Sequence, residues 1–256
     1  MADKDLLYRV EGHVATITIN REVSRNAITS DVVALFHDAL DRAQADDGVR
    51  VVCLTGAGDK AFCSGADLGG GVSADNLDVF EAYARLISRL ARFSKPTVAR
   101  INGHCMAGGT GLMLGCDIVI AKDTAKFGTP EVNVGLFPMM IGALIFRNVP
   151  RKKAMEMILL GETLTAAQAL DMGLVTRVVP SADFDDEAKR VLTALAEKSP
   201  IGMRLGKAAF AGAEAMPLDG AVHFLAGKLA VGAATADARE GITAFLERRP
   251  PNFQGK

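Results

Sequence analysis

The sequence predicts an α/β fold, and three observations carry that reading. Short β-branched runs alternate with longer segments of helical period. Two of the strand-like runs close in bends built from small residues, A-F-C-S-G-A-D-L and N-G-H-C-M-A-G-G. From about Asp183 onward the pattern is helical throughout. The cycle of strands and helices is short, which favours stacked ββα units over a doubly wound sheet, although pattern alone leaves both open.

In chain order, residues 13–20 (H-V-A-T-I-T-I-N) alternate, with Ala15, Ile17 and Ile19 on one face of a half-buried strand. Thr29, Ser30 and Asp31 form a helix start, and Val32, Val33, Leu35, Phe36, Ala39, Leu40 and Ala43 then recur at helical spacing. Residues 49–55 (V-R-V-V-C-L-T) have the β-branched character of a buried strand. The glycine-rich stretch 69–73 is expected to be a loop in the position of a gate over a pocket. A helix over about 75–93 should turn Val79, Ala82, Leu86, Leu90 and Phe93 inward. Pro96 opens the strand 97–101, which runs to the bend Ala107-Gly108-Gly109 and a short apolar helix at 112–114.

Beyond Glu131, residues 134–141 (V-G-L-F-P-M-M-I) are apolar and rich in Met, which fits either core or the wall of an acyl-chain pocket. Residues 151–160 form a helix with Ala154, Met155, Ile158 and Leu159 on one side. Thr165 and Gln168 have capping-box spacing, and Gly173 stops the helix they open. A short strand at 175–179 ends at Pro180, and helices follow with breaks at Pro200, Pro217 and Thr235. Without a Pro/Ser/Gly linker, the expectation is one compact unit: a core over 1–195 and a helical segment over 196–256, whose apolar faces suit another subunit.

Composition narrows the function. The chain has 256 residues, 49% of them hydrophobic, ample for a buried core. A net charge of −1, with both signs interspersed, argues against non-specific binding to nucleic acid or an anionic membrane. No apolar run reaches the ~18 residues of a membrane span. The first residues, M-A-D-K-D-L-L-Y, lack the apolar stretch of a secretion signal. Cys53, Cys63, Cys105 and Cys116 lie in apolar surroundings with no C-x-x-C pair, so neither disulfides nor a zinc site is expected and a reducing cytoplasm fits.

The two bends carry the chemistry. A glycine bend at the start of a helix leaves backbone N–H groups free to hold a phosphate, or an oxyanion that develops during acyl chemistry. Taken alone, such a bend is more often a tight corner. Two of them, each aiming one N–H at the same oxygen, are the minimum for an oxyanion hole. Glu131, after Pro130, is the candidate carboxylate. Asp67 and Asp117 have the settings of turn and strand braces, and His104 that of a packed side chain.

At these residues the chain resembles a known family. L-T-G-A-G-D-K-A-F-C-S-G-A-D-L is similar to the first signature of the crotonase (enoyl-CoA hydratase/isomerase) superfamily, and N-G-H-C-M-A-G-G-T-G-L-M-L-G-C-D-I with F-G-T-P-E-V-N-V-G-L to the second. The closing R-E-G-I-T-A-F-L-E-R-R-P-P-N-F is similar to the family's C-terminal helix and tail, so the resemblance runs nearly end to end. It implies a spiral of ββα units with perpendicular sheets, and a C-terminal segment that forms trimers, often paired into hexamers. It implies an acyl-CoA thioester as substrate, with CoA part of that substrate and no separate cofactor. The oxyanion donors would be the N–H groups of Ala66 and Gly108, and Glu131 would be the acid/base. Arg25, Ala27, Ala66, Asp67, Leu68 and Gly108 would lie along the bound acyl-CoA. Arg248 or Arg249 would either meet a CoA phosphate or simply end a helix in solvent.

The sequence departs from the hydratase pattern at one point. The first of the two glutamates that face the substrate in hydratases falls on Gly111. A single glutamate looks more like the Δ3,Δ2-enoyl-CoA isomerases, where one base can shuttle a proton along an allylic system. Met139 stands where dienoyl-CoA isomerases carry an aspartate, which disfavours that activity. Isomerisation therefore ranks slightly above hydration. The rival expectation is an acyl-CoA-binding protein of the same fold that has lost its chemistry with the missing acid.

Overall fold

The computed structural model of the chain describes residues 5–67, 69 and 77–256. Of the expected gate at 69–73, only Gly69 lies among them, and Leu68 lies outside them.

Strands β1 (Leu6–Glu11) and β2 (Val14–Ile19) form an antiparallel hairpin. Ala15, Ile17 and Ile19 are fully buried on one face of β2, as the alternation requires. Helix α1 (Ser30–Ala45) begins with the Thr29 side chain accepting a hydrogen bond from the Val32 N–H. It buries Val32, Val33, Phe36, Ala39, Leu40 and Ala43.

Next come β3 (Val51–Gly56), β4 (Ala61–Cys63) and α2 (Leu77–Ala91), then β5 (Thr97–Ile101), β6 (His104–Met106) and α3 (Gly108–Leu114). A third such unit has β7 (Ile118–Lys122), β8 (Lys126–Gly128), a 3-10 turn over Pro130–Val134, and α4 (Met139–Asn148). Each unit lays its first strand in one sheet and its second in another. With β9 (Leu164–Thr165) and β10 (Arg177–Val179), the sheets have the orders β1-β2-β3-β5-β7-β10 and β4-β6-β8-β9. The repeated ββα unit is thus realised as a stack. β3 is buried at every residue, as a parallel strand covered on both faces must be.

Two buried asparagines hold the corner where the chain passes between sheets. Asn26 Nδ2 donates to the Ala57 and Ala61 carbonyls, while Asn102 Oδ1 accepts from the Gly56 N–H and its Nδ2 donates to the Gly58 carbonyl. Backbone groups that leave a sheet inside a core must find such partners, so this network fixes where the two site bends emerge.

The remaining helices are α5 (Arg151–Leu160), α6 (Ala166–Met172), α7 (Phe184–Ala196), α8 (Pro200–Ala213), α9 (Leu218–Ala233) and α10 (Ala236–Glu247). The Thr165–Gln168 capping box opens α6, and Gly173 in the left-handed region closes it. α7 packs Phe184, Ala188, Val191 and Ala196 against Val51, Val98 and Ile120 of the larger sheet. By contrast, α8, α9 and α10 bury only Ala209, Asp237 and Ala244. Buried Asp237 ties the chain end down, accepting from Ser199 Oγ and from the N–H groups of Gln254 and Gly255.

Two details differ from the sequence expectation, and the 134–141 stretch, left open there, divides between core and surface. Val79 stays 39% exposed, because it sits in the first turn of α2 before the helix meets the core, and Tyr83 joins the buried stripe instead. Leu159 is exposed on α5 and Met157 is buried, since position 159 lies about 140° around the helix from Ala154. Within 134–141, Pro138 and Ile141 are buried and Met140 packs against the core, while residues 134–137 and 139 stay exposed. Gly135, at φ 78, turns the backbone outward after the 3-10 turn and leaves Val134 and Met139 at 64% and 75% exposure. No helix among the described residues is long and apolar enough to cross a membrane.

Candidate active site

The first bend follows β4. Ile28 N–H donates to the Gly65 carbonyl at 2.8 Å, and Asp67 N–H donates to the Ile28 carbonyl at 2.8 Å. These two bonds make an isolated parallel bridge between Ile28 and Ala66. No described peptide is cis. In a trans peptide the N–H lies opposite the carbonyl. The Ala66 N–H, anti to the bonded Gly65 carbonyl, therefore faces away from Ile28. Ala66 is exposed.

The second bend joins β6 to α3. Ala107 N–H donates to the Gly128 carbonyl at 2.9 Å, and the Ala107 carbonyl accepts from Thr110 N–H at 2.9 Å. By the same trans geometry, the Gly108 N–H points out of the first turn of α3. Ala107 has φ 48 and ψ −126, a conformation that residues with a Cβ rarely adopt. Holding it there costs about 1–3 kcal/mol, strain that accumulates at functional turns.

The bends touch. Gly65 has φ +100, and a Cβ on it would lie 2.6 Å from Ala107 Cβ and 3.3 Å from the Gly108 nitrogen. A Cβ on Gly108 would lie 3.6 Å from Gly65 Cα. Glycine at position 65 is thus the condition for bringing the Ala66 and Gly108 amides side by side. Among the described residues neither N–H carries a hydrogen bond.

Glu131 enters through β8. Gly128, bonded to the Ala107 N–H, ends that strand, and the 3-10 turn over Pro130–Val134 presents the carboxylate. Glu131 Oε2 is buried with no hydrogen-bond partner among the described residues. Burial pushes the carboxyl pKa up, and a bond from its own N–H opposes that only in part. A carboxylate poised this way suits proton transfer near neutral pH.

The other sequence candidates fall as follows. Arg25 carbonyl accepts from Ser64 N–H at 3.1 Å, which lays the Arg25–Ala27 loop along the first bend with the Arg25 side chain exposed and Ala27 buried. Asp67 braces its turn, accepting from Gly69 N–H and from Arg21 at 3.1 Å each. The Gly69 bond, then the Arg21 bond, hold its carboxyl below the usual range. Ala27, Ala66, Asp67 and Gly108 therefore belong to one neighbourhood, with Arg25 at its edge. Asp117 braces β5 through Thr97 and pairs with Lys207. His104 is exposed on β6. Arg249 is held by Glu240 and Glu247, and Arg248 caps α10 in the left-handed region.

At Gly111 the structure holds a residue that the sequence reading missed. A Cβ there would clash with the Tyr83 hydroxyl and lie 2.5 Å from Ile141 Cγ2. Tyr83 is buried and donates to the Gly108 carbonyl. The available signal was its place on the buried stripe of α2 with Leu86 and Leu90, where it is the one member with a polar tip.

Comparison with known proteins places the whole chain among relatives of one family and fold. The enoyl-CoA hydratase/isomerase family model matches residues 9–256. A 1,2-epoxyphenylacetyl-CoA isomerase of Escherichia coli is 36% identical over 259 residues, with 98% of each chain covered. A crotonyl-CoA hydratase of Syntrophomonas wolfei is 33% identical over 260 residues, with 100% of each chain covered. The crystal structure of an enoyl-CoA hydratase from Bacillus anthracis superposes with a TM-score of 0.94 at 30% identity, covering 98% of this chain and 100% of the other.

Proposed function

Because this chain belongs to the enoyl-CoA hydratase/isomerase family, we propose that it moves a double bond along an acyl-CoA thioester with Glu131 as sole acid and base. The observation that carries the reading is the pair of contacting bends with unbonded Ala66 and Gly108 amides, together with a Glu131 oxygen that has no partner among the described residues and a carboxylate close enough to act on Tyr83, whose hydroxyl bonds Gly108. Glu131 takes a proton from C2 of a 3-enoyl-CoA. The charge spreads to the thioester oxygen, where the two N–H groups receive it. Glu131 returns the proton at C4, leaving the double bond between C2 and C3. One such donor is typically worth ~10²–10³ in rate.

Hydration of a 2-enoyl-CoA uses the same hole and stays the second reading, since the relatives include a hydratase. Gly111 ranks it lower, because the space of a second carboxylate is filled by Tyr83 and Ile141. CoA contacts fall to Arg25, Ala27, Asp67 and Leu68 together with the two bends. The exposed apolar residues Val134, Leu136, Phe137 and Met139 would close over the acyl chain or a neighbouring subunit.

In the same reading the core over 1–195 holds the site and the segment over 196–256 assembles the protein. Phe210, Leu218, Leu229, Phe245 and Leu246 are all more than half exposed on its helices, which fits a homotrimer or a dimer of trimers. The free thiols fit a cytoplasmic setting. The test offers the purified protein crotonyl-CoA and, separately, 3-enoyl-CoAs of several lengths in deuterated water. Isomerisation with deuterium entering the product supports the reading. Tight binding without turnover or exchange of either would leave only an acyl-CoA-binding protein.

A further inference from the structure

Position 111 is a glycine whose missing side chain is replaced by a residue from another helix. The Tyr83 ring comes from α2, and its hydroxyl lies too close to where a Cβ of Gly111 would stand for any side chain to fit there without displacing it. That hydroxyl is committed, donating to the carbonyl of Gly108, the residue whose own N–H is one of the two unbonded donors. It lies 3.5 Å from where a Cβ on Gly108 would be. The Gly108 N–H lies in the peptide shared with Ala107, whose carbonyl the Thr110 N–H holds, whereas the Gly108 carbonyl lies in the next peptide; glycine's wide freedom in φ and ψ lets these two planes turn against each other unless the carbonyl side is held as well.

We propose that Tyr83 is a positioning residue of the oxyanion hole, its hydroxyl pinning Gly108 so that the N–H of that residue stays aimed at the thioester oxygen. This rests on the acyl-CoA reading above and deepens it. Burial, and after it the neighbouring Cys63, Cys105 and Glu131, push the Tyr83 phenol well above its ordinary pKa. The hydroxyl therefore stays protonated at any working pH and remains a donor, never a second base. The site then has one proton carrier and one fixed neutral donor, which suits a shuttle along the acyl chain better than water addition between two carboxylates. Chain and site are matched by exchange: α3 gives up a side chain at Gly111, and α2 supplies the polar group.

The test is Tyr83→Phe, which keeps the ring and removes only the hydroxyl. Two ligands are titrated by calorimetry into wild type and variant. Acetoacetyl-CoA can place enolate charge on its thioester oxygen, whereas butyryl-CoA cannot do so readily. The proposal expects acetoacetyl-CoA to bind about tenfold more weakly to the variant, with butyryl-CoA within about twofold, since misaiming a donor costs the charged form first. In turnover, kcat falls with KM nearly unchanged. A purely packing role predicts a lower melting temperature with no discrimination between the ligands. Equal loss of both ligands, or loss of neither, overturns the proposal. Wild-type turnover of the enoyl-CoAs is judged separately, so failure of the reaction assignment is distinguishable from failure of the Tyr83 role.

Discussion

Replacing Glu131 by Gln should abolish activity and raise stability, and both effects come from the same burial. The amide keeps the size and one acceptor of the carboxyl but cannot carry a proton. Loss of a sole general base costs roughly 10²–10⁴ in rate. The stability effect has the opposite sign. In the unfolded chain the carboxyl titrates near 4.5, and in the folded chain burial raises that value. Below 4.5 both states are protonated and the wild type carries no penalty. As pH rises through the interval between the two values, the folded state binds more protons and stability falls; above it, the desolvated charge is carried in full. Oε2 has no partner among the described residues to offset this, and the residue is only part buried, so the cost is about 1 kcal/mol, the low end for an unsatisfied buried group. For a chain of this size that is a melting shift of ~2–4 °C. The assay pairs turnover of a 3-enoyl-CoA with calorimetric melting near pH 4 and near pH 8. Glu131→Gln should be inactive throughout, more stable near pH 8 and equal to wild type near pH 4. A variant that retains turnover, or is less stable near pH 8, would refute the reasoning.

Other changes follow from the same contacts. Gly65→Ala puts a methyl 2.6 Å from Ala107 Cβ on a backbone at φ +100, so denaturant melts should show a loss of about 2–6 kcal/mol, and turnover should fall because the bends must part. Gly111→Ala drives a methyl into Ile141 and the Tyr83 hydroxyl, for a loss of about 1–3 kcal/mol that Tyr83→Phe partly restores, measured as a double-mutant cycle. Burial would raise the Asp237 pKa, but bonds from Ser199, Gln254 and Gly255 outweigh it and lower it. Its stabilisation is present above the unfolded value of 3.8 and lost as pH falls through the folded one. Asp237→Ala should cost about 2–3 kcal/mol at neutral pH and free the chain end to proteolysis.

Much of the fold was legible because single segments encode it. The alternation of Ala15, Ile17 and Ile19, the stripe of α1, and the Thr165–Gln168 capping box are each decided within one element. β1 escaped notice because it is an edge strand with only Leu6 buried, so alternation on its polar side says little. In the site, each bend and the carboxylate could be read from local residues. The contact of Gly65 with Ala107 could not, since it joins two sheet corners held by Asn26 and Asn102. Tyr83 was missed for the same reason. Its period marks it as core, and only the tertiary meeting of α2 with α3 turns its hydroxyl toward Gly108.

The central claim is that two main-chain amides receive one thioester oxygen while Glu131 faces the adjacent carbons. A crystal structure with acetoacetyl-CoA bound tests it directly. The account predicts the Ala66 and Gly108 nitrogens both at ~2.7–3.1 Å from that oxygen, with the Glu131 carboxylate against C2. A thioester oxygen bonded elsewhere, or a Glu131 carboxylate turned from the acyl chain, would contradict it.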